Sequence, residues 1–397
     1  MRLVHLADLH LGFRQYQRLT PSGINQREAD IAASVGRAID AAIALRPAVV
    51  VVGGDVFHSV RPSNSAILHA YRMFSRLRTA LPDAAIVMVA GNHDAPRTTD
   101  AGCILRLFRE IGIAVADARA EVFTFPELSL SVMAVPDVPG IARPRFVPQP
   151  GFRHNVLLVH GEIPGVVPGH AANADRAAVE IPVSELNAEL WSYIAFGHYH
   201  VYREIAPRAY YSGSIDYTST NPWGELREER EARIPGKGFI EHDLVTHAHR
   251  FHPVAIARGL LDLHSIDASD LSAAELDQAI AARVNAVPQG IDDRIVRLMV
   301  RNVPRHIARE LDQTMLREYK RRALHFQLDT RKPEAASPRV SGGAPGRRAT
   351  LEELVVERLN ARALPAGVER AQLVAKGLHY LAEAEESLGA TLSVVEG

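Results

Sequence analysis

Five short segments of this chain place metal-binding side chains directly after an apolar run. They are Asp8-Leu9-His10, Gly54-Asp55-Val56-Phe57-His58, Gly91-Asn92-His93-Asp94, Val159-His160-Gly161 and Gly197-His198-Tyr199-His200. Imidazole nitrogens, carboxylate oxygens and an amide oxygen suit divalent ions such as manganese, iron, zinc or cobalt. None of the segments contains cysteine, which argues against a thiolate zinc site. The chemistry that these residue types indicate is metal-assisted hydrolysis of a phosphoester.

The apolar runs that precede these side chains are short and rich in β-branched residues, which is typical of buried strands. They cover residues 2–7, 48–52, 85–90, 155–159 and 193–196. The ligands are therefore expected to gather at one edge of a sheet. Two metal ions in such a centre lie about 3.5 to 4 Å apart and need a bridging carboxylate, for which Asp55 is the candidate.

Each segment taken alone has an ordinary structural explanation. An Asp-x-His can be a turn or a surface pair, Gly-Asn-His-Asp can be a loop, and a histidine in an apolar run can be a core residue. Five such segments in order, each at a strand end, favour the metal centre. A further group of histidines lacks acidic or glycine neighbours of this kind and is interpreted as a solvated strand face outside the site: His242, His247, His249 and His252.

The series D-x-H, G-D-x-x-H, G-N-H-D, H-G and G-H-x-H resembles that of the calcineurin-like metallophosphoesterases, in the same order. Within this group the chain is similar to the nuclease subunit of the bacterial SbcCD complex and of archaeal and eukaryotic double-strand-break repair complexes. The similarity includes the stretch GDVFHSVRPS at residues 54–63, and YSGSI at 211–215 followed by GKGF at 236–239. It covers residues 1 to about 250 well and the remainder in outline.

The resemblance implies a role for each residue of the five segments. One metal ion would be held by Asp8, His10, Asp55 and His200. The second would be held by Asp55, Asn92, His160 and His198. His93 would give a proton to the leaving 3′ oxygen, with Asp94 as its orienting partner, and His58 would position the substrate. The expected cofactor is a pair of divalent ions, with manganese as the first choice.

The same resemblance implies an activity and partners. The expected activity is that of a DNA exonuclease with 3′ to 5′ polarity and single-strand endonuclease activity, in double-strand-break repair. The expected partners are DNA, an SbcC-like coiled-coil ATPase of the SMC type and a second copy of the chain in a homodimer. Two alternatives remain: a phosphatase or cyclic or small-molecule phosphodiesterase on the same scaffold, and a metal-free binding subunit. The second is disfavoured because no expected ligand is missing.

The overall charge gives no sign of nucleic-acid binding, with a net charge of −1 and a pI near 7.0. Residues 297–348, however, contain 13 Lys and Arg against 5 Asp and Glu, and residues 349–397 contain 4 against 8. The basic stretch fits a phosphate-contacting surface and a solvated helix face with a linker equally well. The single cysteine, Cys103, excludes an internal disulfide. With no membrane-length apolar run and no cleavable signal, the expected location is cytoplasmic and nucleoid-associated.

The chain is long enough for two or more domains. Residues 1–253 alternate strands and helices and predict an α/β fold, which by resemblance is a four-layer β-sandwich flanked by helices. Residues 254–328 predict a small α/β unit, with strands near 260–266 and 295–300 and a helix over 272–285 that begins with a Ser-x-x-Glu capping signature. The resemblance implies that this unit is a capping domain that lies over the active-site face and grips DNA. Residues 329–348 are rich in Pro, Gly, Ser and Arg and predict a flexible linker. Residues 349–397 predict a helical tail whose first helix has an apolar stripe: Leu351, Leu354, Val355 and Leu359.

Overall fold

The computed structural model describes residues 1–96, 102–140, 144–166, 177–333, 350–362, 364 and 369–393. The chain separates into two compact units, Met1–Pro333 and Glu334–Gly397. Within the described ranges, the first unit contains two large sheets and a small third one, and the second contains a pair of helices. No helix in these ranges is both long and apolar enough to cross a bilayer.

The first large sheet has the amino-terminal strand near its centre and the order β12-β11-β1-β2-β3-β4. Its parallel strands are β1 (Arg2–Leu6), β2 (Val49–Val52), β3 (Ala85–Val89) and β4 (Ala114–Ala116). The antiparallel strands β11 (Gly238–Asp243) and β12 (His249–Pro253) extend it on one side. Continuous apolar runs such as that of β2 are what a strand with both faces buried requires.

The second large sheet has the order β5-β6-β7-β8-β10-β9. The parallel strands are β6 (Leu130–Val135), β7 (His154–His160), β8 (Tyr193–Gly197) and β10 (Ala209–Tyr211). The edge strands β5 (Glu121–Phe125) and β9 (Arg203–Ala206) are antiparallel to their neighbours. The strand that ends at His160 and the one that ends at Gly197 are therefore adjacent and point the same way.

The two sheets pack face to face around buried residues such as Leu3, Val51, Val132 and Leu158. The helices α1 (Gln26–Ala44) and α2 (Asn64–Ala80) cover the outer face of the first sheet. Short 3₁₀ turns and loops around Trp191 cover the outer face of the second, and α3 (Pro222–Glu231) lies between β10 and β11 in sequence. The predicted α/β sandwich is confirmed.

The third sheet consists of three parallel strands, β13 (Leu260–Asp267), β14 (Ile295–Arg301) and β15 (His325–Thr330). It packs with α4 (Ala273–Asn285), α5 (Arg305–Glu310) and α6 (Gln313–Arg322) around its own core. Ser272 and Glu275 form the predicted capping box at the start of α4. Strand β15 was not predicted, and its last two residues lie in the segment that the sequence assigned to the linker.

Charged side chains attach this sheet to the sandwich. Arg18 donates to the carbonyl oxygens of Arg321 and Ala323, at 2.9 and 2.8 Å. Arg258 donates to the Asp30 carboxylate at 2.8 Å. The guanidinium of Arg297 lies 4.8 Å above the centre of the Trp223 ring. Contacts before, within and near the end of the segment that forms the third sheet therefore hold it against the sandwich.

The second unit is described by its two helices, α7 (Leu351–Asn360) and α8 (Arg370–Ser393). Thr350 and Glu353 form the capping box that the sequence predicted at the start of α7. The helices pack closely where a β-carbon on Gly377 would lie 2.5 Å from Leu359. Leu351 and Leu354 remain 56% and 45% exposed. From residue 334 to 349, the predicted linker lies outside the described residues.

Three histidines lie between or beside the two large sheets. His5 is fully buried, His242 is 1% exposed and His249 is half-buried. His5 Nδ1 lies 3.1 Å from the Tyr193 hydroxyl, and the His249 ring stacks on Tyr210. Within the described residues, neither ring nitrogen of His242 has a hydrogen-bond partner. The interpretation as a solvated strand face is therefore wrong for His242, because the alternation along β11 places its ring inside the sandwich.

The burial of these histidines predicts that the free energy of unfolding falls in acid. Burial lowers the pKa of His5 to about 3 and those of His242 and His249 to about 4. Because the ordinary pKa of 6.5 is higher, the neutral rings stabilise the fold above pH 6.5, and this stability is lost as the pH falls towards 4. The loss should reach about 1.4 kcal/mol per pH unit for each fully buried ring. In urea unfolding at about pH 7.5 and about pH 5, His242→Phe should lose less stability than the wild type.

The matched control is His264→Phe, at an exposed position of β13 in the third sheet, which should keep the wild-type pH dependence. Both variants leave in place the His249, His247, Asp243 and Arg208 side chains that also act on position 242. An identical acid loss in His242→Phe and the wild type would show that this ring does not carry the effect.

Candidate metal centre

The proposed ligands lie where parallel strands of both large sheets end. Asp8, Asp55 and Asn92 follow β1, β2 and β3 of the first sheet. In the second sheet, His160 is the last residue of β7, and His198 and His200 follow β8. Because the sheets are stacked, the two sets of side chains meet at one end of the sandwich. The sequence prediction of a single sheet edge is therefore wrong, because the proposed ligands come from the edges of two stacked sheets.

The backbone at these positions is tightly constrained. Four candidate ligands have left-handed backbone conformations that non-glycine residues seldom adopt, with φ of 53° at Asp8, 44° at His10, 50° at Asp55 and 104° at His198. The chain segments also approach each other closely. A β-carbon on Gly91 would lie 2.1 Å from Asp55 Oδ1, and one on Gly197 would lie 1.9 Å from the Gly53 oxygen. These contacts give a physical reason for glycine in two of the motifs.

The structure brings together the four residues expected at the first metal ion. Asp8, His10 and His200 each offer one ligand atom, and these atoms lie within 4.8 Å of one another. His10 Nε2 is 3.0 Å from His200 Nε2 and 3.7 Å from Asp55 Oδ2. Both oxygens of Asp8 also accept from the main-chain N–H of His198. Asp8 and His10 are buried, and His200 is partly exposed.

The residues expected at the second metal ion also converge. Asp8, Asp55 and His160 form a group by the same distance criterion. Asn92 Oδ1 lies 3.0 Å from His160 Nε2 and 3.3 Å from His198 Nδ1. Asp55 Oδ2 is 3.5 Å from His160 Nε2. It therefore lies near a nitrogen of each set, as a bridging carboxylate requires.

The electrostatics of these residues fit divalent cations. Burial raises the pKa of Asp8 to about 6. Burial and the neighbouring histidine rings lower the pKa of His10 well below its ordinary value. For His160, burial lowers the pKa, but the carboxylates of Asp55 and Asp8 outweigh this effect and raise it. Imidazole nitrogens and carboxylate oxygens that face one another at these distances are a donor set for two such ions.

His58 and His93 lie beside His10, with one nitrogen from each ring within 4.8 Å of the others. His93 Nδ1 donates to the main-chain oxygen of His58 at 2.9 Å, because a carbonyl can only accept. This bond fixes the tautomer of His93 and assigns any proton transfer to its Nε2. His58 Nδ1 lies 3.3 Å from His10 Nδ1, so the ring contacts a proposed ligand directly.

The structure differs from the expectation for Asp94. Its buried carboxylate accepts from the main-chain N–H groups of Val56, Phe57 and Gly91, at 3.1, 2.9 and 3.1 Å. The orienting bond to His93 comes from the His58 carbonyl instead. Burial and the nearby Asp55 charge raise the pKa of Asp94 to about 7. Asp94 thus fastens the loop of Asp55 to the loop of Asn92 and does not hold the His93 ring.

Two charged side chains outside the predicted set contact His200. Glu225 Oε1 lies 3.4 Å from His200 Nδ1, and Lys237 Nζ donates to the His200 carbonyl at 2.7 Å. No spacing pattern pointed to Glu225, which stands in a helix with many charged residues. Lys237 falls in the GKGF stretch that carried part of the resemblance, but nothing in that stretch indicated what it contacts.

Residues 1–227 match the family described as calcineurin-like phosphoesterase. This match covers more than half of the 397 residues, so the chain belongs to the calcineurin-like phosphoesterases. The family predicted from the motif order is confirmed.

The curated relatives include proteins named DNA double-strand break repair protein Mre11. The one from Methanococcus maripaludis is 27% identical over 62% of this chain and 63% of its own length. That from Methanocaldococcus jannaschii is 25% identical over 60% of this chain and 61% of its own length. The one from Methanosarcina mazei is 25% identical over 80% of this chain and 55% of its own length. The matched region thus spans less than two thirds of these relatives.

Proposed function

We propose that the protein is a two-metal nuclease that hydrolyses DNA phosphodiester bonds, and that it serves as the nuclease subunit of a double-strand-break repair complex. The observation that carries the proposal is the convergence of two ligand sets on Asp55, with His93 beside them. The names of the Mre11 relatives support DNA as the substrate. Manganese remains the expected metal by resemblance, and the donor set also accepts other divalent ions.

In this proposal a bound pair of divalent ions supplies positive charge to the phosphoryl group and lowers the pKa of a water molecule. The residues of the chain have distinct tasks. The main-chain N–H of His93 donates to Asp55 Oδ1 at 3.0 Å and so fixes the bridging carboxylate. With Nδ1–H held by the His58 carbonyl, the doubly protonated His93 ring gives the proton on Nε2 to the leaving 3′ oxygen and becomes the neutral Nδ1–H tautomer. His58 contacts His10 and stacks on the His93 ring, and from there it would position the substrate.

Exposed cations on two helices beside the third sheet support DNA as the ligand. The exposed cations of α5 and α6 include Arg305, Arg309, Arg317 and Lys320. Cations on a rigid surface bind the phosphate backbone without reading sequence. We assign residues 254–328 the role of a capping domain that grips DNA, and the contacts of Arg18, Arg258 and Arg297 hold it in place.

The experiment that tests the function compares substrates directly. The purified protein is incubated with Mn²⁺ and end-labelled single- or double-stranded DNA, and in parallel with phosphomonoesters and cyclic nucleotides. We expect DNA degradation that EDTA stops. Release of a 3′-end label from duplex DNA before a 5′-end label would indicate 3′ to 5′ polarity. Hydrolysis of monoesters or cyclic nucleotides without DNA cleavage would instead assign the phosphatase or small-molecule phosphodiesterase alternative.

A homodimer is part of the proposal, and α2 is the candidate surface. This helix begins just after the segment of His58 and exposes two large apolar side chains, Leu68 at 55% and Tyr71 at 36%. The two residues are three positions apart and so share one face of the helix. Burial of this face against a second copy would place two metal centres in one particle.

We further propose that the tail binds a coiled-coil ATPase of the SbcC type. The exposed Leu351 and Leu354 belong to the predicted stripe of α7, whereas Leu359 packs against Gly377 of α8. A helical pair with apolar side chains left exposed is a surface for a partner helix.

The tail predicts a separation of activity from assembly. Truncation after Pro333 should leave metal-dependent nuclease activity largely unchanged, because every proposed ligand lies before residue 201. Leu351→Asp with Leu354→Asp should weaken binding of the ATPase at least about 100-fold, since burial of each leucine contributes ~1.5 to 3 kcal/mol. Calorimetry with the purified ATPase measures the loss.

The control for the tail is Arg358→Asp, which introduces the same charge at an exposed polar position of α7. It should bind the partner nearly as well as the wild type. Full binding by the double leucine variant would show that Leu351 and Leu354 do not form the ATPase surface. An unfolded first unit after truncation would assign these helices to the enzyme's own core.

A further inference from the structure

We infer that Glu225, held by Lys237, is a positioning residue for His200 and sets the affinity of the first metal ion. The inference rests on the proposed metal pair. His200 uses its two ring nitrogens in different directions. Nε2 faces His10 Nε2 at 3.0 Å, within the group that includes Asp8, and Nδ1 lies 3.4 Å from Glu225 Oε1. A carboxylate can only accept, so this contact places the proton of the neutral ring on Nδ1 and the lone pair on Nε2.

The position of Glu225 is itself fixed by a buried cation. Lys237 is 1% exposed at its side chain and forms ion pairs with Glu225 and with Glu229, the latter at 3.1 Å. Its Nζ also donates to the main-chain oxygen of His200 at 2.7 Å and lies 4.6 Å from the centre of the Tyr217 ring. One ammonium group therefore holds the backbone of His200 and the acceptor of its side chain together.

This arrangement controls both the tautomer and the orientation of a ligand. Without an acceptor at Nδ1, the neutral ring also populates the form with its proton on Nε2, which cannot bind a cation through that atom. Carboxylates behind metal-binding histidines typically change metal affinity by about 10- to 100-fold when removed. A loss of that size is expected for the ion held by Asp8, His10 and His200, with less effect on the ion beside Asn92 and His160.

The helix that carries Glu225 offers a matched control. Glu228 lies three residues further along α3 and accepts from the Tyr199 hydroxyl, which is not a proposed ligand. Both glutamates are partly exposed and anchor the same helix to the sandwich. If Glu225 only anchored α3, alanine at either position should change Mn²⁺ affinity equally. If Glu225 positions His200, only Glu225→Ala should weaken Mn²⁺ binding.

The test titrates metal-free protein with Mn²⁺ alone, by calorimetry and without DNA. Glu225→Ala should bind one of two ions about 10- to 100-fold more weakly than the wild type. Glu225→Gln keeps an accepting oxygen and should fall between them. Glu228→Ala should match the wild type. Thermal unfolding in EDTA checks that the variants are folded under the conditions of the titration.

A double variant separates positioning from charge imbalance. In Glu225→Ala, the Lys237 ammonium keeps only Glu229 as a carboxylate partner. Adding Lys237→Met removes this ammonium group. The double variant should keep the weakened Mn²⁺ binding, because His200 still lacks its acceptor. Restored binding in the double variant, or equal affinity of Glu225→Ala and Glu228→Ala, would overturn the inference while leaving the metal pair intact. A wild type that binds no Mn²⁺ would instead overturn the metal pair and the inference with it.

Discussion

Asp55→Asn is expected to reduce manganese-dependent DNA hydrolysis to the level of the wild type in EDTA. The Asp55 carboxylate has one oxygen near nitrogens of both His10 and His160, and the other accepts the main-chain N–H of His93. Asparagine keeps the size of the side chain but removes the negative charge that both ions would share. Bound manganese, measured by mass spectrometry after gel filtration, should fall together with the initial rate.

The control for this variant is Asp117→Asn. Asp117 is also buried in the first unit, but it pairs with Arg106 and Arg109 and has no contact with a proposed ligand. It should retain both bound manganese and activity. Chelator-resistant cleavage of DNA by Asp55→Asn would be incompatible with a dinuclear centre.

His93→Asn is expected to slow DNA hydrolysis by about 10² to 10⁴, the usual contribution of a general acid, with bound metal near the wild-type amount. The His93 ring is held through Nδ1 by the His58 carbonyl, and its main-chain N–H, which contacts Asp55, survives the substitution. The chemical step should therefore be affected without loss of the ligand set. Single-turnover rates and metal content, measured on the same preparation, separate the two effects.

His69→Asn provides the comparison for His93. His69 is partly exposed on α2 and contacts only the Ala32 carbonyl among the hydrogen bonds of the described residues, so its loss should not change the rate. If His93→Asn loses manganese in proportion to its loss of rate, His93 is a ligand and not a proton donor.

The sequence predicted the parts of the structure that repeat a simple pattern. Apolar runs that end in Asp, Asn or His marked the strands that carry Asp8, Asp55, Asn92 and His160, because a strand buried on both faces leaves little choice of residue. Ser-x-x-Glu and Thr-x-x-Glu signatures fixed the starts of α4 and α7. Strand β15 was missed because its sequence, HFQLDT, runs without a break into polar residues.

Contacts between distant segments could not be read in the same way. Asp94 follows His93 directly in sequence, which favoured a pairing of the two. Its carboxylate instead accepts hydrogen bonds from the main-chain N–H groups of Val56 and Phe57, which only folding brings near. His242 stands among histidines that are more exposed than it is, and its burial depends on which face of β11 meets the second sheet. Glu225 depends on the path of α3, which follows the last motif by about 20 residues and has no spacing rule.

The origin of the ligands in two separate sheets has a consequence for the durability of the fold. Asp8, Asp55 and Asn92 belong to one layer of the sandwich, and His160 and His198 belong to the other. Ions bound by residues of both layers would link the two sheets, so that the sheets could not separate without releasing metal. By mass action, a free ion at 100 times its dissociation constant adds about 2.7 kcal/mol to the free energy of unfolding. The free energy of unfolding would then fall when metal becomes scarce, so that loss of metal would lower the stability of the fold together with the activity.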